Sequence, residues 1–297
     1  MIVSNVSRQT WKELLRAHAP VQLPAAHDAL TAKLIARAGF NAYQIGGFAL
    51  VGSRHGVPDI DLLRFAEQAA GVRDIMAAST LPVMVDVDDG YGDVKNVTHT
   101  IQSYEAMGVS AIFIEDQVPP KRCGHMAGKS VVSIEFMEKK LRAALAARKS
   151  PDFFIAARTD ALESHGLDEA LRRADRYLKA GADGLYVEAP KSEKQLRKIG
   201  ETFAGVPQIT NMFEGDTETP WLTPTELHQL GFSMILYPTT ILFRAVRAIQ
   251  RALSDLREGR PTGPNEGVDL AEYEQITGLQ YWAEIENTFQ GATDTEK

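Results

Sequence analysis

Four times along this chain a charged segment of helical period ends at a glycine and runs directly into an apolar stretch. The four are AGFNAYQIGG from Ala38, MGVSAIFIED from Met107, AGADGLYVEA from Ala180 and LGFSMILYPT from Leu230. Glycine just past a helix end accepts the left-handed backbone that closes the helix, and an apolar run without alternation is a strand buried on both faces. Repeated joints of this kind define βα units. The rest of the sequence completes a set of eight strands, near Val21–Leu23, Ala42–Ile45, Pro82–Asp86, Ala111–Glu115, Phe153–Arg158, Gly184–Glu188, Gln208–Asn211 and Met234–Tyr237. Amphipathic segments lie between them, as where Leu167, Ala170, Leu171, Ala174 and Leu178 recur on one helical face. Eight strands, with no glycine-rich dinucleotide fingerprint after the first, predict an α/β fold of one closed (β/α)8 TIM barrel rather than an open doubly wound sheet.

The 297 residues, 44% hydrophobic and 24% charged, suffice for such a barrel as one domain over 1–297. The formal charge of −7, with no long Lys/Arg block, argues against a nucleic-acid partner. Nowhere do 18 apolar residues follow one another, so no membrane span is expected. Residues 1–20 carry Arg8, Lys12, Glu13 and Arg16 and do not read as a secretory signal. One cysteine cannot make an internal disulfide, which fits the reducing cytoplasm. After Arg257 the chain turns through Glu-Gly-Arg-Pro-Thr-Gly-Pro and then regains Leu270, Tyr273, Leu279, Tyr281, Trp282 and Phe289. We expect residues 258–297 to form a helical extension that packs on its own barrel or on a neighbouring subunit.

Active sites of such barrels are built at the C-terminal strand ends. There this chain places Asp86-Val87-Asp88-Asp89-Gly90-Tyr91-Gly92, Glu115-Asp116, Arg158-Thr159-Asp160, Glu188 and Asn211. Asp86 and Asp88 are two apart and, with Glu115 from the next strand, offer the oxygen-only ligands preferred by Mg2+ or Mn2+. The structural alternative, an Asx-rich turn, is reasonable for VDVDDGYG alone, but carboxylates on several strand ends together favour a site. The stretch Gln117–Val132 is long for a barrel loop, which suggests a lid. It carries Lys121-Arg122-Cys123-Gly124-His125. A lone cysteine is most often a small buried hydrophobe, yet two cations and a histidine beside Cys123 lead us to expect an accessible thiol of lowered pKa. Arg158 can hold a carboxylate bidentately, or pair with Glu188 or Asp160. Gly46-Gly47 after the second strand permits backbone N–H groups to approach a carboxylate.

These motifs resemble the isocitrate lyase and phosphoenolpyruvate mutase superfamily. The resemblance rests on KRCGH at Lys121–His125, VDVDDGYG at Val85–Gly92, IEDQ at Ile114–Gln117, ARTDA at Ala157–Ala161, VEAP at Val187–Pro190 and NMFEG at Asn211–Gly215, in order and spacing from about Asp28 to Arg257. It implies a barrel binding Mg2+ or Mn2+ near Asp86, Asp88 and Glu115, a gating loop with catalytic Cys123, and a homotetramer that exchanges C-terminal helices. The cysteine loop resembles the lyase branch. The length resembles members cleaving methylisocitrate, dimethylmalate or oxaloacetate. Ile45-Gly46 stands where many relatives place Ser-Gly, which removes a hydroxyl able to bind substrate.

The expected reaction is therefore metal-dependent carbon–carbon cleavage of a small 2-hydroxy di- or tricarboxylate to a 2-oxo acid and a carboxylate, with hydrolysis of oxaloacetate to oxalate and acetate as the alternative. A binding barrel without catalysis is a third, weaker reading. Tyr43 or a metal-bound water is the expected base, Cys123 the acid with His125 next in line, and Arg158 stabilises charge. Gly46, Gly47, Lys121, Gly124, Glu188, Asn211 and Tyr237 are expected to line the substrate, and Phe48, Phe213 and Tyr237 to shape the pocket.

Overall fold

A computed structural model describes residues 9–215, 220–263 and 265–290. The strands are β1 (Val21–Pro24), β2 (Tyr43–Ile45), β3 (Val83–Asp86), β4 (Ala111–Glu115), β5 (Phe154–Thr159), β6 (Gly184–Val187), β7 (Gln208–Asn211) and β8 (Met234–Tyr237). All pair in parallel, in the order β1-β8-β7-β6-β5-β4-β3-β2. A single parallel bridge, Ala25 to Gln44, joins the two ends into a nearly closed (β/α)8 barrel. The expected strands are present to within two residues at each end. All four cassette glycines, Gly39, Gly108, Gly181 and Gly231, have positive φ, the conformation that lets the helix stop and the strand begin.

Chain contacts divide the molecule into two compact units, residues 1–243 and 244–297. The first is the barrel. Its strand residues alternate between two apolar layers. One face of each strand, with Tyr43, Ile45, Val83, Val85, Ile112, Ile114, Ile155 and Ala157, packs against the helices. The other, with Leu23, Ala42, Met84, Phe113, Phe154, Ala156, Tyr186, Ile209 and Leu236, fills the interior. The helix Trp11–His18 closes the end where the strands begin: Trp11 and Leu14 belong to the inner cluster, and Trp11 Nε1 lies 3.4 Å from Met234 Sδ. Truncating Trp11 to alanine would cost ~3–5 kcal/mol. Among the described residues, the inward polar side chains gather at the strands' C-terminal ends. The second unit contains the rest of the helix Thr240–Arg257 and the helices Leu270–Thr277 and Leu279–Gln290. No described helix is long and apolar enough to cross a membrane.

Candidate active site

The inward face that is apolar in the lower barrel turns polar at its last layer. Gln44 of β2, Asp86 of β3, Glu115 of β4, Arg158 of β5, Glu188 after β6 and Asn211 of β7 all line one cavity. Strand pairing explains the coincidence, since Glu115 is level with Arg158 and each lies two residues beyond an inner-core side chain. Asp88, in the turn after β3, stands behind this wall beside Gly47 and Lys121 and does not itself line the cavity. It has φ 49°, a left-handed conformation that Asp tolerates better than most side chains, and its N–H donates to Asp86 Oδ1 at 2.9 Å.

The loop after β4 covers this layer. Gln117 makes reciprocal hydrogen bonds with the Arg122 backbone, at 2.9 and 3.0 Å. Cys123 N–H donates to Asp59 O at 3.2 Å, tying the loop to the segment before the helix Phe65–Met76. Lys121 is buried, with Nζ 2.5 Å from Asp59 Oδ1 and 2.6 Å from Asp88 Oδ1. Burial alone would lower its ammonium, but Asp88, Asp59, Glu115 and Asp86 around it hold it well above the ordinary lysine value. Gly124 passes so close to Arg158 and Glu188 that a Cβ would overlap both side chains. The His125 ring stacks on Phe213 with centroids 4.0 Å apart, and its Nδ1 is 3.4 Å from Glu188 Oε1.

Arg158 is held in place by its own partners. Nε and Nη2 donate to Asp160 at 2.9 and 3.0 Å, Nε is 3.3 Å from Glu115 Oε2, and Nη2 is 3.7 Å from Glu188 Oε1. Burial would raise Glu188, but Arg158, His125 and Lys129 hold its carboxyl below the usual range. The carboxyls on the other side behave oppositely. Burial raises Asp86, takes Asp88 up to about 7, and takes Glu115 well above the glutamate value, in spite of Arg158 and Lys121.

Among the described residues no three His, Cys, Asp or Glu side chains converge as a ready-made metal cage. The donors nevertheless fit a hard cation. Mg2+ needs only one or two carboxylates and completes its shell with water and substrate. Glu115 Oε1 is buried and accepts no hydrogen bond, whereas Asp88 Oδ1 is met by the Lys121 ammonium at 2.6 Å. Three desolvated carboxyls pushed towards their neutral forms show a local shortage of positive charge.

Sequence expectation and geometry part company at three places. Cys123 is 9% exposed, and burial pushes its thiol up to about 11, so it is neither the accessible nor the acidified group expected from its cationic neighbours. The loop is packed down on the cavity, and the charge of Lys121 is spent on Asp59 and Asp88. Tyr43 belongs to the layer between strands and helices and does not line the cavity; Ile45 shares that face, so a hydroxyl in its place would point away as well. Tyr237 packs against the same outer layer and pairs with Trp221 at 5.9 Å. The cavity does gather Cys123, Arg158, His125, Asp86, Glu115, Gly46, Gly47, Lys121, Gly124, Glu188, Asn211, Phe48 and Phe213. Sequence reading missed Gln44 and Asp59. Gln44 was detectable as the polar residue in a buried strand, whereas nothing local marked Asp59.

A parallel barrel with this acidic, lidded mouth defines an α/β-barrel enzyme. Residues 11–257 match the phosphoenolpyruvate phosphomutase family model, and the chain belongs to that family, within the phosphoenolpyruvate mutase and isocitrate lyase superfamily. It is 40% identical to 2,3-dimethylmalate lyase of Eubacterium barkeri, over 94% of this chain and 96% of that one. It is 39% identical to 2-methylisocitrate lyase of Halalkalibacterium halodurans, over 84% and 81%. Among solved structures it resembles oxaloacetate acetylhydrolase in complex with 3,3-difluorooxalacetate, with TM-score 0.89, 30% identity and 97% of both chains covered. It also resembles phosphonopyruvate hydrolase in complex with oxalate and Mg2+, with TM-score 0.83, 28% identity, and 95% and 100% covered.

Proposed function

We propose that this chain is a carbon–carbon lyase that cleaves a small 2-hydroxy di- or tricarboxylate, of alkylmalate or methylisocitrate type, to a 2-oxo acid and a carboxylate. The observation that carries the reading is Cys123, a thiol kept protonated by burial on the wall of a cavity lined by Arg158 and by cation-seeking carboxyls. A raised thiol is a poor nucleophile but retains the proton that a general acid must deliver. The relatives named 2,3-dimethylmalate lyase and 2-methylisocitrate lyase support carbon–carbon cleavage as the reaction class.

Asp86, Asp88 and Glu115 would hold Mg2+ or Mn2+, which supplies Lewis acidity towards the substrate's 2-hydroxy acid end. Lys121, pinned between Asp59 and Asp88, positions that group of carboxylates. Arg158, fixed by Asp160, faces the negative charge that accumulates as the carbon–carbon bond breaks. Cys123 then protonates the carbanionic carbon of the departing carboxylate, with His125 held beside it by Phe213 and Glu188. The packed loop excludes water that would otherwise protonate the intermediate without selection. Tyr43 has no part in this scheme; the carboxyl groups that line the cavity are Asp59, Asp86, Glu115 and Glu188, and Glu188, held below the usual range by Arg158, His125 and Lys129, stands outside the metal group.

Hydrolysis of oxaloacetate to oxalate and acetate is the second reading, favoured by the likeness to oxaloacetate acetylhydrolase. Incubation with alkylmalates, 2-methylisocitrate and oxaloacetate, with assays for 2-oxo acid and for oxalate, separates the two; release of neither product would remove both. We further propose a cytoplasmic homotetramer, with residues 258–297 as the exchanged extension. Val246, Ile249, Leu253 and Leu256 are exposed at three- and four-residue spacing along one helix, and Leu270, Trp282 and Phe289 are exposed beyond it, a pattern suited to self-association. Light scattering tests this, and a monomer at micromolar concentration would contradict it.

A further inference from the structure

The loop over the cavity has two legs, and a different lysine holds each. The legs are zipped at their base, where Gln117 bridges Val131 and Val118 N–H donates to Ser130 O at 2.9 Å. On the leg that leaves β4, Lys121 reaches Asp59 and Asp88. On the returning leg Ala127, Gly128 and Ser130 are exposed, yet Lys129 among them is buried, with 1% of its side chain exposed. Gly128 takes φ 81°, a conformation glycine accepts without strain, and turns the chain just ahead of that lysine. Lys129 Nζ donates to Gly124 O, and lies 3.2 Å from Glu163 Oε2 and 3.5 Å from Asp160 Oδ1. These acceptors join the residue between Cys123 and His125 to the end of β5 and to the helix Ala161–His165. Lys129 does not line the cavity. A buried ammonium is costly unless acceptors surround it, and one of the three around Lys129 is a carbonyl of the loop itself.

We propose that Lys129 is a positioning residue for the loop: by holding the Gly124 carbonyl against Asp160 and Glu163, it sets the closed position of Cys123 and His125 and the fraction of time the loop stands open. The catalytic consequence rests on the lyase reading above, in which Cys123 delivers a proton; the latch itself does not. The partners of Lys129 suit a contact that breaks and remakes. Asp160 is also held by Arg158 Nε and Nη2, at 2.9 and 3.0 Å, so it stays paired when Lys129 withdraws. Glu163, its side chain 31% exposed, is met by water instead. Withdrawal of Lys121, by contrast, strands Asp59 and Asp88, whose side chains are 7% and 2% exposed, and a buried carboxylate without a partner is strongly disfavoured. The lysine near β5 is therefore the one that can let go as the loop moves.

Cys123 is the single cysteine of the chain, so its alkylation by iodoacetamide reports loop opening without reference to any substrate. Rates at one pH, kcat/KM on an alkylmalate in Mg2+ and thermal melts are measured for the wild type, Lys129→Met, Lys129→Arg and Glu163→Gln. Lys129→Met is expected to be alkylated ~10–100-fold faster, the weight of hydrogen bonds from a charged donor, with Tm little changed. Its kcat/KM should fall by a matching factor, because both quantities scale with the closing equilibrium. Lys129→Arg, which keeps the charge and the donors, should recover most of both effects, and Glu163→Gln should move them in the same direction by a smaller factor, since Asp160 remains. Loss of a nearby cation would by itself make thiolate scarcer and slow the reaction, so the sign separates opening from altered acidity. Alkylation of Lys129→Met at the wild-type rate overturns the latch and leaves the lyase reading intact. Faster alkylation with a lowered Tm and no rescue by arginine would make Lys129 a packing residue. A wild type that releases no 2-oxo acid, while Lys129→Met is still alkylated faster at unchanged Tm, keeps the latch and strikes the lyase reading alone.

Discussion

Glu115 and Asp116 are consecutive, both buried and both acidic, yet they serve opposite ends. Asp116 leaves the strand on the helix side, where four donors meet it: Thr159 Oγ1 at 2.8 Å, Asp160 N at 2.9 Å, Arg173 Nη1 at 3.1 Å and Tyr177 OH at 2.7 Å. Arg173 Nη1 also donates to Val132 O, so this carboxylate joins the end of the lid to the helix Leu167–Lys179. Glu115 leaves on the cavity side with one cation near Oε2 at 3.3 Å and nothing on Oε1. A buried carboxylate with its acceptors filled stabilises a particular packing, and one left short of donors is poised for a ligand. The parity of one strand separates frame from site.

The sharpest way to break this contrast is to remove each charge in turn. Glu115→Gln should lower turnover by ~10³-fold, since the metal's contribution to the transition state is several kcal/mol, and EDTA should do the same to the wild type. The Tm of Glu115→Gln should stay level or rise, because burial already holds that carboxyl well above the glutamate value. Full activity in a verified metal-free sample would end the metal reading. Asp116→Ala should do the reverse, losing ~3–5 kcal/mol of stability in urea unfolding because Arg173 is left buried and unpaired. If Asp116→Ala unfolds like the wild type, the saturated network is ornamental.

The lid offers a smaller effect. A thiol raised from 9.0 to about 11 carries ~100-fold less thiolate at neutral pH, two units being two decades. Iodoacetamide should therefore alkylate Cys123 about 100-fold more slowly than a model thiol, with a rate that climbs until pH passes about 11. The sign is that of a raised acid: the reactive anion is gained as pH rises, and the transferable proton is kept below it. A rate that levels off near pH 7 would restore the acidified thiol expected from the flanking cations.

That last expectation shows where sequence reading failed. The barrel was legible because the signal is local and repeated, a glycine that ends a helix and an apolar run after it. The acidic layer was legible because strand ends are where barrel chemistry collects. Which way a residue points was not legible where strands are short: β2 spans only Tyr43–Ile45, and a buried parallel strand is apolar on both faces, so Tyr43 looked as eligible as Gln44. Nor could the sequence show that Asp59, 62 residues before Lys121, takes up its charge. Without that pairing Cys123 seemed to lie in a positive field.

The smallest effect links the two networks through stability. If Glu115, Asp86 and Asp88 lack a cation, then a cation bound only to the folded state must stabilise it by RT ln(1 + [L]/Kd), about 1.4 kcal/mol at ten times Kd. For a barrel of this size that is a rise in Tm of ~3–6 °C. Mg2+ should give this shift in the wild type with no substrate present. Glu115→Gln, with one ligand neutralised, should need a far higher concentration, while a conservative change on the other face, Asp116→Asn, should melt lower at the start yet rise by the same increment. Calorimetric scans over a Mg2+ series, with Na+ at matched ionic strength as control, separate site binding from screening. An equal rise in all three proteins would mean that Mg2+ acts on the surface, and the unfilled oxygen of Glu115 would then need another partner.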